Sequence, residues 1–308
     1  MTDLDRYLLD EAESRRIFCD RIVPDQLTGT PQEQPIVVLV GGQPGDGKAT
    51  ITSLAKTVLN RRGRVVTLSA TAFEPYHPRF HERITDVPTT AGKYVEADGR
   101  RWLAQAEALV IQERYDAVLE TELLDPGGFA ESARRFKAAG YQVEVAILAV
   151  HESLSRLGVL ERHMLALQNF GFGRLVEQSL HDACYQGALR AAELVDRDAF
   201  ADRVAVLRPD GRLIYGNERT VDGQWQQPAT TAGAIQWERD RPWTVLESRH
   251  FLRDVSHVGP IGLAAPVQWI RDESLEGARA VMALARPRLH PDAVTLHIAT
   301  AGTAIRES

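Results

Sequence analysis

The segment Gly42-Gln43-Pro44-Gly45-Asp46-Gly47-Lys48-Ala49-Thr50 is where residue type and spacing point most directly to chemistry in this 308-residue chain. It fits the pattern G-x-x-x-x-G-K. Such a loop curls its backbone until several N–H groups converge on one anion, and glycine permits the curl because it tolerates positive φ. If a helix follows, its N-terminus adds partial positive charge at the same spot. Lys48 is then placed to reach the outer phosphates of a bound polyanion. Two residues depart from the pattern. Ala49 stands where a Ser or Thr hydroxyl would hold Mg²⁺, and Thr50, turned by ~100° about a helix axis, is not an equivalent ligand. Asp46 places a carboxylate in the loop, which opposes bound phosphate unless it points to solvent.

The elements needed to position this loop follow from the apolar pattern. Residues 35–40 form a continuous β-branched run, predicting a strand buried on both faces, and helical spacing resumes over 51–60. Further strands are predicted over 64–68, 116–120, 142–150 and 204–207, and helices over 102–114, 129–139 and within 153–195. This alternation predicts an α/β fold with a parallel sheet covered by helices on both faces. Pro209-Asp210-Gly211 is a turn, with 213–215 returning as a hairpin arm. An amphipathic helix over 3–22, broken by Pro24 and by Thr28-Gly29-Thr30-Pro31, precedes the sheet. Beyond Gly223 the pattern turns helical. Thr244 and Glu247 have the spacing of a capping box, and a further helix is predicted over 266–285. The expected organisation is an N-terminal helical segment (1–30), a nucleotide-binding domain (31–222) and a mostly helical C-terminal region (223–308).

Composition narrows the function classes. A net charge of −6 argues against a nucleic-acid surface. Two cysteines far apart in sequence, Cys19 and Cys184, form neither a disulfide framework nor a zinc pattern. No apolar run approaches the ~20 residues of a membrane span, and the charged start is no signal peptide. The expected location is the cytoplasm. His77 and His81 are four apart, but Pro78 lies between them and no third ligand has matching spacing, so no metal site is expected. The tryptophans 225, 237, 243 and 269 are expected to dock helices rather than bind a ligand.

From about Ile17 to Tyr215 the chain resembles the zeta-toxin family, P-loop kinases of bacterial toxin–antitoxin systems. The resemblance is carried by Phe18-Cys19-Asp20-Arg21-Ile22-Val23-Pro24 leading into Pro31-Gln32-Glu33, then by the loop 42–48. Phe73 with His77-Pro78 follows, then Leu119-Glu120, Leu160-Glu161-Arg162, Arg174 and His181-Asp182. It implies a P-loop kinase fold, ATP as phosphoryl donor with Mg²⁺, a UDP-N-acetylglucosamine-like acceptor, and an antitoxin-like or other protein partner. Carried over by position, Lys48, Arg162 and Arg174 correspond to the family's phosphate-binding cations. Glu120 and His77 fall on the acceptor side.

The same resemblance exposes losses. The family's proton-accepting aspartate is replaced by Thr71, and the aspartate two residues earlier by Ser69. The basic residue after the phenylalanine is replaced by Glu74, the arginine for the sugar nucleotide by Leu124, and a substrate-facing glutamate by Ala104. A threonine hydroxyl has no useful basicity near neutral pH, and loss of a positioned base costs ~10²–10⁴ in rate. The expected function is ATP binding with weak or lost phosphotransferase activity. Two alternatives stay open: an active kinase with a different acceptor, using Glu74, Glu122 or Asp125 as base, or a non-enzymatic protein-interaction module.

Overall fold

The computed structural model describes residues 8–80, 91–170, 176–263 and 268–293. Strands β1 (Ile36–Gly41), β2 (Val66–Leu68), β3 (Ala117–Thr121), β4 (Gln142–Leu148), β5 (Arg203–Leu207) and β6 (Leu213–Glu218) form one sheet in the order β2-β3-β1-β4-β5-β6. β1 lies in the interior because its apolar run can be buried on both faces. It pairs in parallel with β3 and β4, Leu39 standing opposite Leu119 and Val145. Only β6 runs antiparallel, as the return arm of a hairpin with β5. The connection after β1 runs to one side, to β2, and that after β4 to the other, to β5, so the carboxyl ends of β1 and β4 flank the switch point where an open α/β sheet binds its ligands.

The helices are α1 (Glu11–Ile17), α2 (Val23–Gln26), α3 (Lys48–Leu59), α4 (Ala70–Phe73), α5 (Ala91–Glu113), α6 (Pro126–Ala138), α7 (Glu152–Phe170), α8 (Gln178–Arg197), α9 (Thr231–Asp240), α10 (Val245–Leu263) and α11 (Gln268–Ala285). Alternate strand residues feed two cores. Val37 and Leu39 pack with Trp102 of α5, Phe136 of α6 and Ala188 of α8, while Val40 and Leu148 pack with Ile51 and Leu59 of α3. A third apolar cluster joins Leu157, Leu160 and Met164 of α7 to Trp243, Phe251, Val255 and Val258 around α10 and to Ala278 and Val281 of α11. Ile235 of α9 is buried in the main core, so the chain beyond residue 223 is packed against the sheet layer as well as against α7.

Some boundaries differ from the sequence expectation. Pro24 does not end the N-terminal helix, because a π-helical turn over Phe18–Ile22 lets it enter the first turn of α2, where a missing N–H costs nothing. Helix α5 starts at Ala91, well before residue 102; Gly92 and Gly99 in its first turns, disfavoured in helices, hid that start in the sequence. The reciprocal Thr244–Glu247 cap is present at the start of α10, with Glu247 N–H donating to Thr244 Oγ1 at 3.2 Å and Thr244 N–H to Glu247 Oε2 at 2.8 Å. Trp243 is buried in the third cluster, whereas Trp237 is 62% exposed on α9. Trp269 belongs to a helix whose side chains there lie outside those described.

Candidate functional site: a phosphate loop beside an acidic cavity

The loop 42–47 leaves β1 and enters α3 at Lys48. Gly45 and Gly47 adopt φ of +80° and +90°, which explains why glycine is needed at both. Space is as restrictive as φ: a Cβ at Gly45 would lie 2.0 Å from the Ser155 carbonyl oxygen. One at Gly158 would lie 2.5 Å from the Gly45 oxygen. The start of α7 therefore rests on the loop backbone to backbone. Pro44 is buried, while Ala49 and Thr50 are exposed in the first turn of α3.

Lys48 is 6% exposed and folds back over its own loop. Its Nζ donates to the carbonyls of Gly42 and Gln43 at 2.9 and 2.8 Å and lies 3.1 Å from Asp46 Oδ1. Asp46 Oδ1 also accepts the Lys48 backbone N–H at 3.0 Å. Asp46 does not point to solvent; it is buried, and its Oδ2 has no hydrogen-bond partner. A Cβ at Gly42 would sit 1.8 Å from that atom. Burial pushes the Asp46 carboxyl above its usual range, against the opposing pull of Lys48. The loop thus holds an internal anion where an incoming phosphate would compete for the same donors.

Behind the loop runs a buried relay that the sequence motif did not reveal. Gln43 Nε2 donates to the Val150 carbonyl at 2.9 Å and to Ser155 Oγ at 3.2 Å. Ser155 Oγ is hydrogen-bonded to His181 Nε2 at 2.8 Å. Burial, followed by the Arg156 charge, lowers the His181 pKa to about 4, so the ring is neutral at pH 7. On the other side, Arg239 of α9 donates through Nη2 to Gln43 Oε1 at 3.1 Å and through Nη1 to the Tyr185 carbonyl at 2.9 Å. Its guanidinium carbon lies 3.7 Å from the Tyr185 ring centroid. Burial lowers the Arg239 pKa to about 10, which leaves it charged at neutral pH. Arg239 could not be singled out from sequence, because it lies outside every motif and its partners, Gln43 and Tyr185, are distant in the chain.

Beside the loop, between α4, α5, β3 and α6, lies a cavity of about 370 Å³. Its lining includes Ser69, Thr71, Ala104, Glu120 and Leu124, so the substituted positions and the strand-end glutamate converge on one space. Thr71 Oγ1 is 2.9 Å from Ser69 Oγ. Glu120 Oε2 accepts from Thr52 Oγ1 of α3 at 2.9 Å, which ties β3 to the helix that follows the loop. Glu74, Glu122 and Asp125 also line the cavity. Asp125 Oδ1 additionally caps α6 by accepting from Gly128 N–H at 2.9 Å.

His77 is not among the residues lining that cavity. It is buried, with Nε2 3.5 Å from Asp98 Oδ2 of α5, and Nδ1 accepts the Arg79 N–H at 3.2 Å. These contacts suit a residue that fastens the turn after α4. Arg162 is exposed on α7, one turn beyond Gly158 and so on the helix side that meets the loop. Arg174 and His81 fall outside the described residues. Among the described residues no cluster of His, Cys, Asp and Glu has metal-binding geometry, and no helix is long and apolar enough to cross a membrane. The curled loop and Lys48 fit a polyphosphate. For Mg²⁺ the chain offers no hydroxyl at position 49, so such an ion would be held chiefly by phosphate oxygens and water.

The chain is similar to known bacterial toxins. A family model described as Zeta toxin matches residues 20–220. Toxin PezT of Streptococcus pneumoniae serotype 4 (strain ATCC BAA-334 / TIGR4) is 23% identical over 207 residues, covering 63% of this chain and 81% of that protein. Toxin zeta of Enterococcus hirae is 23% identical over 190 residues, covering 61% of this chain and 65% of its own length. Among solved structures, one from the PezAT chromosomal toxin–antitoxin system of Streptococcus pneumoniae has a TM-score of 0.70 at 18% identity, covering 84% of this chain and 100% of that one. At that identity the likeness is one of fold.

Proposed function

This chain belongs to the zeta toxin family, and on that premise we propose that it binds ATP through residues 42–50 while transferring phosphate to a UDP-sugar weakly or not at all. The observation that carries this reading is a juxtaposition. A loop with its lysine in place adjoins a cavity whose family base and sugar-nucleotide arginine are Thr71 and Leu124.

ATP held there would supply the transferable phosphoryl group, with Mg²⁺ neutralising developing charge. The chain's own contribution is positional. Loop amides and the first turn of α3 receive phosphate oxygens, with Lys48 held at the loop by the carbonyls of Gly42 and Gln43. Arg162 and Arg174 are the cations proposed to close over the outer phosphate. For a polyanion to seat fully, Asp46 must release the Lys48 N–H or take up a proton. Thr71 can hydrogen-bond an acceptor hydroxyl but cannot hold its proton, so turnover on the family's acceptor falls by ~10²–10⁴.

Calorimetric titration with ATP, with and without Mg²⁺, tests the reading. Saturable binding lost in Lys48→Ala is the expected result. No binding, or equal binding by the Lys48→Ala variant, would remove it. A solved relative of this fold comes from a toxin–antitoxin system, and we infer that this chain likewise engages an antitoxin-like protein. Co-expression with the product of its neighbouring gene should yield a stable complex on size exclusion; separate elution would count against a partner.

A further inference from the structure

We propose that the acceptor for this site is a cationic hydroxyl compound, an amino-alcohol or amino-sugar, and not an anionic sugar nucleotide. The inference rests on reading the cavity beside the loop as the acceptor side of a phosphotransferase.

Among the described residues, seven carboxylates line the cavity against two guanidiniums, Arg100 and Arg135. Both guanidiniums already have partners: Arg135 pairs with Glu107, and Arg100 lies 3.3 Å from Glu96. Glu120, Glu122 and Asp125 face the same space with no ion pair among the described residues. Two of the substitutions act in one direction. Glu74 stands where the resembled family has a basic residue, and Leu124 where it has an arginine. Both positions line this cavity, and Glu74 is 2% exposed. A diphosphate brought among these carboxylates would meet repulsion without an uncommitted cation among the described lining residues. An ammonium group would meet charge-assisted acceptors. The volume, about 370 Å³, is at the small end of ligand sites and suits a compact polyol amine.

The step balances without a further reactant. The acceptor's hydroxyl oxygen bonds to the γ-phosphorus as the bond from that phosphorus to the β,γ-bridging oxygen breaks. ADP leaves, and the hydroxyl proton passes to a cavity carboxylate and on to water. Glu122, half-buried just past the end of β3, is suited to receive it. The ammonium takes no part in bond making and serves to orient the acceptor.

The test uses two matched ring polyols that differ in charge, 2-deoxystreptamine and myo-inositol, with UDP-N-acetylglucosamine as the anionic comparison. Binding to the full chain is measured by calorimetry with and without ATP, and transfer by mass spectrometry of the products. The expected result is saturable binding of 2-deoxystreptamine, little or none of the other two, and phosphorylation of the aminocyclitol. Glu122→Gln, isosteric and uncharged, should weaken aminocyclitol binding about tenfold, the loss of one charge-assisted contact. Leu124→Arg, at an exposed position, should weaken it further and improve UDP-N-acetylglucosamine. UDP-N-acetylglucosamine binding as well as the aminocyclitol, or unchanged aminocyclitol binding in both variants, overturns the proposal even if ATP binds normally. Failure of ATP to bind while 2-deoxystreptamine binds in a Glu122-dependent way would instead retain the acceptor class and discard the kinase reading.

Discussion

Asp46 and Lys48 are bound to each other twice: the Lys48 backbone N–H donates to Asp46 Oδ1 at 3.0 Å, and the Lys48 ammonium approaches the same oxygen at 3.1 Å. The carboxylate therefore takes donors that a P-loop ordinarily offers to phosphate. Asp46→Ser keeps a small polar side chain and removes the competing charge. ATP affinity should rise by about ten- to a hundredfold, the equivalent of a charge-assisted contact of ~1.5–3 kcal/mol. Calorimetry reads it directly, and unchanged affinity would show that Asp46 leaves the donors freely.

The same pair makes nucleotide binding depend on pH. Burial raises the Asp46 pKa, so protonation becomes easier, and a neutral Asp46 no longer opposes a polyanion. As pH falls toward that raised pKa, ATP affinity of the native chain should gain on that of Asp46→Asn measured at the same pH. For folding the sign is parallel: between the unfolded value near 3.9 and the raised folded value, native chain binds more protons than unfolded chain, so this group's contribution to stability declines as pH rises.

His181 has the opposite linkage. With a folded pKa of about 4 against an ordinary 6.5, it stays neutral in the fold while the unfolded chain takes up a proton. Its contribution is fully present above pH 6.5 and is lost as pH falls to 4, on the order of 3 kcal/mol at the acid limit. The pH dependence of thermal unfolding should flatten over that window in His181→Gln; an unaltered slope would place the titration elsewhere.

Arg239→Gln tests how far α9 supports the loop. Removing a buried guanidinium with two hydrogen bonds and a ring contact should lower stability by roughly 2–4 kcal/mol in denaturant titrations. It should also weaken ATP binding, because Gln43 loses the donor that holds its side-chain oxygen. Stability loss with native ATP affinity would confine Arg239 to packing.

Restoring the two missing acceptor groups together, Thr71→Asp with Leu124→Arg, should raise transfer to UDP-N-acetylglucosamine by ~10²–10⁴ over the native chain. Product analysis by mass spectrometry would detect it. A double variant as inactive as the parent would show that more than these two positions has diverged.

The parallel sheet was legible because β1, β3 and β4 are short apolar runs that can be buried on both faces, with glycines or helical patterns between them. The phosphate loop was legible because its function is executed by the backbone, and the glycines that permit φ near +80° and +90° are written in the sequence. The direction of Asp46 was not legible: repulsion would send a lone carboxylate to solvent, but the ammonium two residues on draws it inward. Arg239 and the Gln43–Ser155–His181 relay were hidden for another reason. They join residues 26 to 196 positions apart through side-chain hydrogen bonds that carry no periodicity. The acidity of the cavity was half visible, since Glu74, Glu120, Glu122 and Asp125 could be named singly, but their convergence depends on how α4 and α5 face β3.

Helix α7 rests on the loop through Gly158 while Leu157, Leu160 and Met164 belong to the apolar cluster built with α10 and α11. Shortening the gene at residue 223, where the family match has just ended, would therefore not yield a tidy minimal catalyst. It would leave a greasy flank along the helix that braces the nucleotide cradle, and the trimmed product should clump during purification. A useful deletion must stop at a point that spares the whole C-terminal bundle.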